Sequence, residues 1–152
     1  MLYYAFPSGG QISGVMAKKS LQSIGAVVAG AAISIILEVG TDAAMRAMEI
    51  FPKVEGSMSD ALFALATAYR TIFGVLGAYI TARLAPNRPM MHALILGALD
   101  TVAAAAGAIA MWDKMPAIGP KWYALVLIVL GLPTAWLGGK LRLMQLPGEV
   151  RG

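Results

Sequence analysis

Four long apolar runs, covering roughly residues 21–39, 61–82, 90–112 and 122–138, set the rhythm of the chain. Each is close to the ~20 residues a helix needs to cross a hydrocarbon layer about 30 Å thick. Breaks rich in proline and glycine separate the last three: "LAPNRP" from Leu84 to Pro89, and "DKMPAIGPK" from Asp113 to Lys121. Connections this short force consecutive helices to lie antiparallel. The pattern predicts an all-α, polytopic membrane protein, a single domain over residues 1–152 built as an antiparallel bundle of four transmembrane helices.

Two segments fall outside that rhythm. Residues 1–15, "MLYYAFPSGGQISGV", carry no charge and no sustained period. They read either as sequence upstream of a natural start at Met16, which opens "MAKKS", or as a disordered or interfacial tail. The connection 41–59 is expected to form an outer loop. Its first half, "TDAAMRAMEIF", begins with the cap formers Thr41 and Asp42 and has the spacing of a helix that extends the first span or lies along the interface, until Pro52 ends it.

Composition agrees with a membrane setting, since 59% of the 152 residues are hydrophobic and only 13% charged, with a mean hydropathy of +0.72. The net charge of +4 reads as topology rather than nucleic-acid binding. With the N-terminus inside, Lys18, Lys19, Arg83, Arg88, Lys140, Arg142 and Arg151 lie on the cytoplasmic side, and only Arg46, Lys53, Lys114 and Lys121 outside. Both termini are therefore expected in the cytoplasm, with Trp112, Trp122 and Tyr123 as an outer aromatic belt. The absence of cysteine excludes disulfides, thiolate metal sites and a cysteine nucleophile.

The chemistry concentrates on two charges inside apolar runs. Arg70, in "ALATAYRTIFGVLG", and Asp100, in "LILGALDTVAAAAG", each lie ~15–20 Å from the polar flanks of their own helix, near the expected midplane. Both are equally far from Ala85, in the intervening turn, so a hairpin of the second and third helices would set them side by side. Both also carry small residues at helical spacing: Ala66, Gly74, Gly77, Ala78 and Thr81 around Arg70, and Gly97, Ala103, Ala104, Gly107 and Ala108 around Asp100. Such stripes mark close helix approach. An unpaired charge at mid-membrane costs ~2.5–3.5 kcal/mol on insertion scales, which favours pairing. The expectation is an Arg70–Asp100 salt bridge in a helix interface.

Further polar residues outline a path around this pair. His92 shares nearly the same face as Asp100, Thr101 and Tyr69 are placed to hydrogen-bond the pair, and Glu38 is expected near the outer interface on a face with Ser34 and Gly30. Gly30 with Ser34 and Gly74 with Ala78 match the small-xxx-small packing pattern, and Gly77, Gly97 and Gly107 join them as packing positions. Pro133, in "LGLPTAW", is expected to kink the fourth helix and free a carbonyl near Val129. No phosphate-binding glycine loop, metal-ligand cluster, catalytic triad or basic arm is present in the sequence. No catalytic residue, metal or cofactor is expected.

The stretches "SDALFALATAYRTIFGVLGAYITARLAPNRPMMHALILG" and "GPKWYALVLIVLGLPTAWLGGKLR" resemble a group of small, uncharacterised bacterial inner-membrane proteins with four spans. The resemblance implies a bacterial inner (cytoplasmic) membrane and carries no functional residues. A superficial likeness to the small multidrug resistance transporters lies in four short spans and in "LEVGT" closing the first helix. Those proteins bury a glutamate deep in the first span, whereas Glu38 falls near the outer end here.

Two functions follow as expectations. One is a non-enzymatic structural or accessory protein of the bilayer, packed around Arg70 and Asp100, as a homo-oligomer or part of a larger membrane complex. The other is a small transporter or proton- or ion-conducting protein that uses Asp100, Arg70 and His92.

Overall fold

The computed structural model describes residues 9–52, 58–115 and 117–146. Residues 1–8, Lys53, Glu55 and Arg151 lie outside the described residues. Four helices account for nearly all of them: α1 (Gly9–Ala47), α2 (Asp60–Leu84), α3 (Pro89–Met111) and α4 (Lys121–Met144), with a short 3-10 turn at Trp112–Lys114 and no strand among the described residues. All four are long and apolar enough to cross a membrane.

Helix α1 is longer than its apolar run. At 39 residues it would measure ~58 Å, about twice a hydrocarbon layer. The added turns at its C-terminal end come from "TDAAMRA", which continues the helix because nothing in it breaks one. Helix α1 then closes in a Schellman turn. Glu49 sits in the left-handed region at φ 59°, the Ile50 N–H donates to Met45 O at 2.9 Å, and the Glu49 N–H donates to Arg46 O at 3.1 Å. Phe51 folds back from this turn and is buried against Met45, Ala66 and Tyr69.

A glutamate in that conformation carries strain that glycine lacks. We therefore expect Glu49→Gly to raise stability by ~0.5–1 kcal/mol. A higher midpoint in detergent thermal unfolding will show it, and a lower one would mean that the Glu49 side chain does more than occupy the turn.

The distribution of residue sizes is inverted relative to a water-soluble bundle. Ala26, Ala78, Ala82, Ala93 and Ala135 are buried, whereas Ile36, Ile72, Val102, Ile109 and Val129 face outward. Small residues inside let backbones touch, and large aliphatic residues outside suit a lipid solvent.

Close approach occurs at three seams. Between α1 and α2, Gly30 and Gly77 face one another reciprocally. A Cβ on Gly30 would fall onto the Thr81 hydroxyl, and one on Gly77 would lie 2.8 Å from Gly30 O. Ser34 closes the seam by donating to Phe73 O at 3.1 Å.

Between α3 and α4, a Cβ on Gly97 would lie 2.9 Å from Gly131 O, and one on Gly139 would lie 3.1 Å from Ala93 Cβ. Between α2 and α4, a Cβ on Gly138 would lie 2.7 Å from both Ala78 Cβ and Tyr79 N.

Helix α4 is thus seated against both α2 and α3, and its contacts with each exceed those of α2 with α3. It continues through Pro133, where the Thr134 hydroxyl donates to Leu130 O and Gly131 O, each at 2.9 Å. Gly107 is not a packing position, because a Cβ there would meet nothing within 4 Å.

Polar and aromatic groups gather at the helix ends. The Trp122 Nε1–H donates to Asp60 Oδ1 at 3.1 Å, and Lys121 Nζ lies 4.5 Å from the Trp112 ring centroid. Elsewhere Tyr79 donates to Gln145 Oε1 at 2.8 Å, and Lys140 Nζ lies 4.5 Å from the Trp136 ring. Aromatic rings carrying cations are the usual furniture of a membrane–water boundary.

Candidate functional site

Arg70 does not pair with Asp100. Its Nη2 donates to Asp42 Oδ2 at 2.7 Å, and its Nη1 lies 4.0 Å from Glu38 Oε2. Tyr69 donates its hydroxyl to the other Asp42 oxygen, Oδ1. One carboxylate on α1 is therefore gripped by two consecutive side chains of α2. The hairpin geometry expected from sequence fails because α4, held to α3 at Gly131 and Ala135, sets Thr134 and Gly138 against α2 and takes the place beside α2 that α3 would have filled. Arg70 turns to α1 instead.

From sequence, Asp42 reads as a cap former at the head of the 41–59 connection rather than as a site residue. Helical spacing contains the signal, since Glu38 and Asp42 are four apart and share a face once the helix runs past Val39. The same continuation changes the place of Glu38. It is not near the end of α1 but well within it, on the wall of a cavity.

That cavity, of ≈ 340 Å³, is lined by all four helices. Helix α1 contributes Ser34 and Glu38, α2 contributes Arg70 and Thr71, α3 contributes Asp100, and α4 contributes Gly131 and Thr134. Among the described residues Asp100 has no ion-pair partner, and it stands exposed on α3 rather than packed in an interface. Arg70 Nε is buried without a hydrogen-bond partner.

The charges on the wall do not balance across the cavity. Arg70 is matched at short range by Asp42, Glu38 touches it only loosely, and Asp100 is unmatched. A volume of this size is at the lower end of small-molecule sites. Chemically, the arrangement offers carboxylate oxygens and hydroxyls in a cleft between otherwise apolar helices, which suits a small cationic or hydrated guest.

The remaining expected path residues sit elsewhere. His92 is buried toward the start of α3 with its Nδ1 3.2 Å from Arg88 O, away from the cavity wall. The Thr101 hydroxyl donates to Gly97 O at 2.8 Å and packs where Gly131 comes close. Tyr69 donates to Asp42 and packs in the cluster with Phe51 and Ala66. Of the packing glycines, Gly131, Gly138 and Gly139 were missed, although the spacing of Gly131, Ala135 and Gly138 repeats the small-residue pattern found on the other helices. Among the described residues no group of three or more His, Cys, Asp or Glu could hold a metal ion.

The fold and site together define a class: an all-helical chain with four helices fit to span a membrane and a polar cavity between them. No family model, curated protein or solved structure matches the chain.

Proposed function

We propose that this is a multi-pass membrane protein of the bacterial inner membrane that binds a small monocation, a proton or an organic ammonium ion, in its polar cavity and passes it across the bilayer. One observation carries the proposal. Asp100, a carboxylate half-way along an apolar helix, faces a cavity shared with Glu38 while the nearby arginine is engaged by Asp42. An ionisable residue within a membrane helix is costly, and it tends to mark a solute or ion route.

In this reading the four helices cross antiparallel, and both termini are cytoplasmic by the distribution of Lys and Arg. The register of contacts supports this arrangement, with Gly30 against Gly77, Ser34 against Phe73 and Asp42 against Arg70. No catalytic chemistry is assigned. The bilayer is the first partner, and a homo-oligomer or larger complex is compatible with the open face of α3.

A structural role retains one specific support, because the Arg70, Asp42 and Tyr69 cluster joins α1 to α2 and explains the half-buried cation without any ligand. It does not explain Asp100. The two roles divide between residues, Arg70 serving the packing and Asp100 the guest.

Proteoliposomes test the division. Proton entry is followed with a trapped pH dye under an imposed membrane potential, and organic-cation entry with labelled butyltrimethylammonium. Wild type should pass one of the two, and Asp100→Asn should lower that flux at least tenfold with folding yield unchanged. Equal flux in wild type, Asp100→Asn and empty vesicles would return the protein to a purely structural role.

A further inference from the structure

The central cavity does not end at the polar walls. A second, apolar groove of ≈ 240 Å³ begins where the first stops, and the two share Ala104 on α3 and Leu127 on α4 as walls. From there it follows the α3–α4 seam past Gly107, Met111 and Tyr123 to Met115, Gly119 and Pro120 at the helix ends. From Leu127 to Pro120 the run is ~10 Å along the α4 axis.

We propose that the guest is an amphiphilic organic cation, with its ammonium head between Asp100 and Glu38 and its apolar tail in this groove. The inference rests on the carboxylate site proposed above and adds the chemical class of its occupant. Head and tail are each matched by the chemistry of the walls. Arg70 is neutralised by Asp42, so the cavity presents unmatched negative charge that selects a cation. The groove presents methionine, aromatic and aliphatic surface, and flexible thioethers adapt to tails of differing shape.

Gly107 explains itself in this arrangement. It belongs to the small-residue stripe of α3, yet no helix packs on it, and a Cβ there would meet nothing within 4 Å. Its missing side chain keeps the groove open.

The test uses purified full-length protein in nanodiscs and a series of trimethylammonium salts carrying methyl, butyl, octyl and dodecyl chains. Wild type and variants are compared at each chain length, so that partition into lipid cancels. Gly107→Leu, which has room for its side chain and should fold, is expected to weaken binding by an amount that grows with chain length, reaching at least tenfold for octyl and dodecyl. Met115→Trp, at the outer end of the groove, should weaken dodecyl more than butyl. Asp100→Asn should weaken the whole series.

A loss with Gly107→Leu that is uniform along the series, or no loss at all, overturns the amphiphile proposal. The carboxylate site then still stands if Asp100→Asn weakens tetramethylammonium. Tetramethylammonium binding equal in wild type and Asp100→Asn overturns that site and the amphiphile proposal with it.

Discussion

Arg70→Met is expected to destabilise the protein by about 2–3 kcal/mol, seen as a lower midpoint in detergent unfolding and a reduced yield of folded protein. The substitution keeps much of the apolar stem and removes the guanidinium. Asp42 then loses its 2.7 Å partner and keeps only the Tyr69 hydroxyl, while Glu38 loses the one cation near it. The penalty is that of stranded carboxylates, more than the net worth of the bridge.

Two companions sharpen the attribution. Arg70→Lys preserves the charge but not the planar fork that reaches Asp42 and Glu38 together, so it should fall between wild type and Arg70→Met. Adding Asp42→Asn to Arg70→Met removes a stranded charge and should recover part of the loss. The exchange of Arg70→Asp with Asp100→Arg should recover nothing, because those two residues are not partners. Full recovery in that exchange, or wild-type stability in Arg70→Met, would contradict the pairing described here.

The contrast between these variants shows what sequence could and could not disclose. The existence of four membrane-length helices was legible because an apolar run of spanning length is visible residue by residue. The run 61–82 falls inside α2 and 122–138 inside α4. The true length of α1 was not legible in the same way. Its extension was one of two readings of "TDAAMRAMEIF", whose helical spacing up to Pro52 suited equally a separate helix along the interface.

The partner of Arg70 was harder still. Distance from a turn predicts neighbours only if consecutive helices are also the closest pair, and here the fit of α4 against α2 changes the order of contacts. The small residues that decide this were visible, but which stripe meets which depends on backbone shapes matched over whole helices. The charges themselves stand out in the sequence as ionisable residues within apolar runs. Their grouping changes because α1 runs on past Val39, which sets Asp42 on the same helix face as Glu38.

Helix α4 is therefore the element whose seating fixes both the bundle and the cavity, and Gly138→Leu should show this with a loss of about 3 kcal/mol. A Cβ at 138 already lies 2.7 Å from Tyr79 N and from Ala78 Cβ, and its near neighbours are backbone or backbone-anchored atoms that cannot swing aside. The helices must part along the seam, which forfeits dispersion contacts on both sides.

A graded glycine series separates this from a general effect of adding side chains. Gly40→Ala meets nothing within 4 Å and should be neutral or mildly stabilising; Gly74→Ala meets Thr134 at an ordinary 3.5 Å and should be tolerated. Gly138→Ala should already be harmful, and Gly138→Leu worse. The same displacement moves Leu130, Gly131 and Thr134, which form one wall of the polar cavity. Cation binding should therefore weaken along the series in step with stability, whereas Asp100→Asn should weaken binding and leave stability near wild type. If Gly138→Leu unfolds at the wild-type midpoint, α4 is not wedged as described, and the reason given for the separation of Arg70 from Asp100 falls with it.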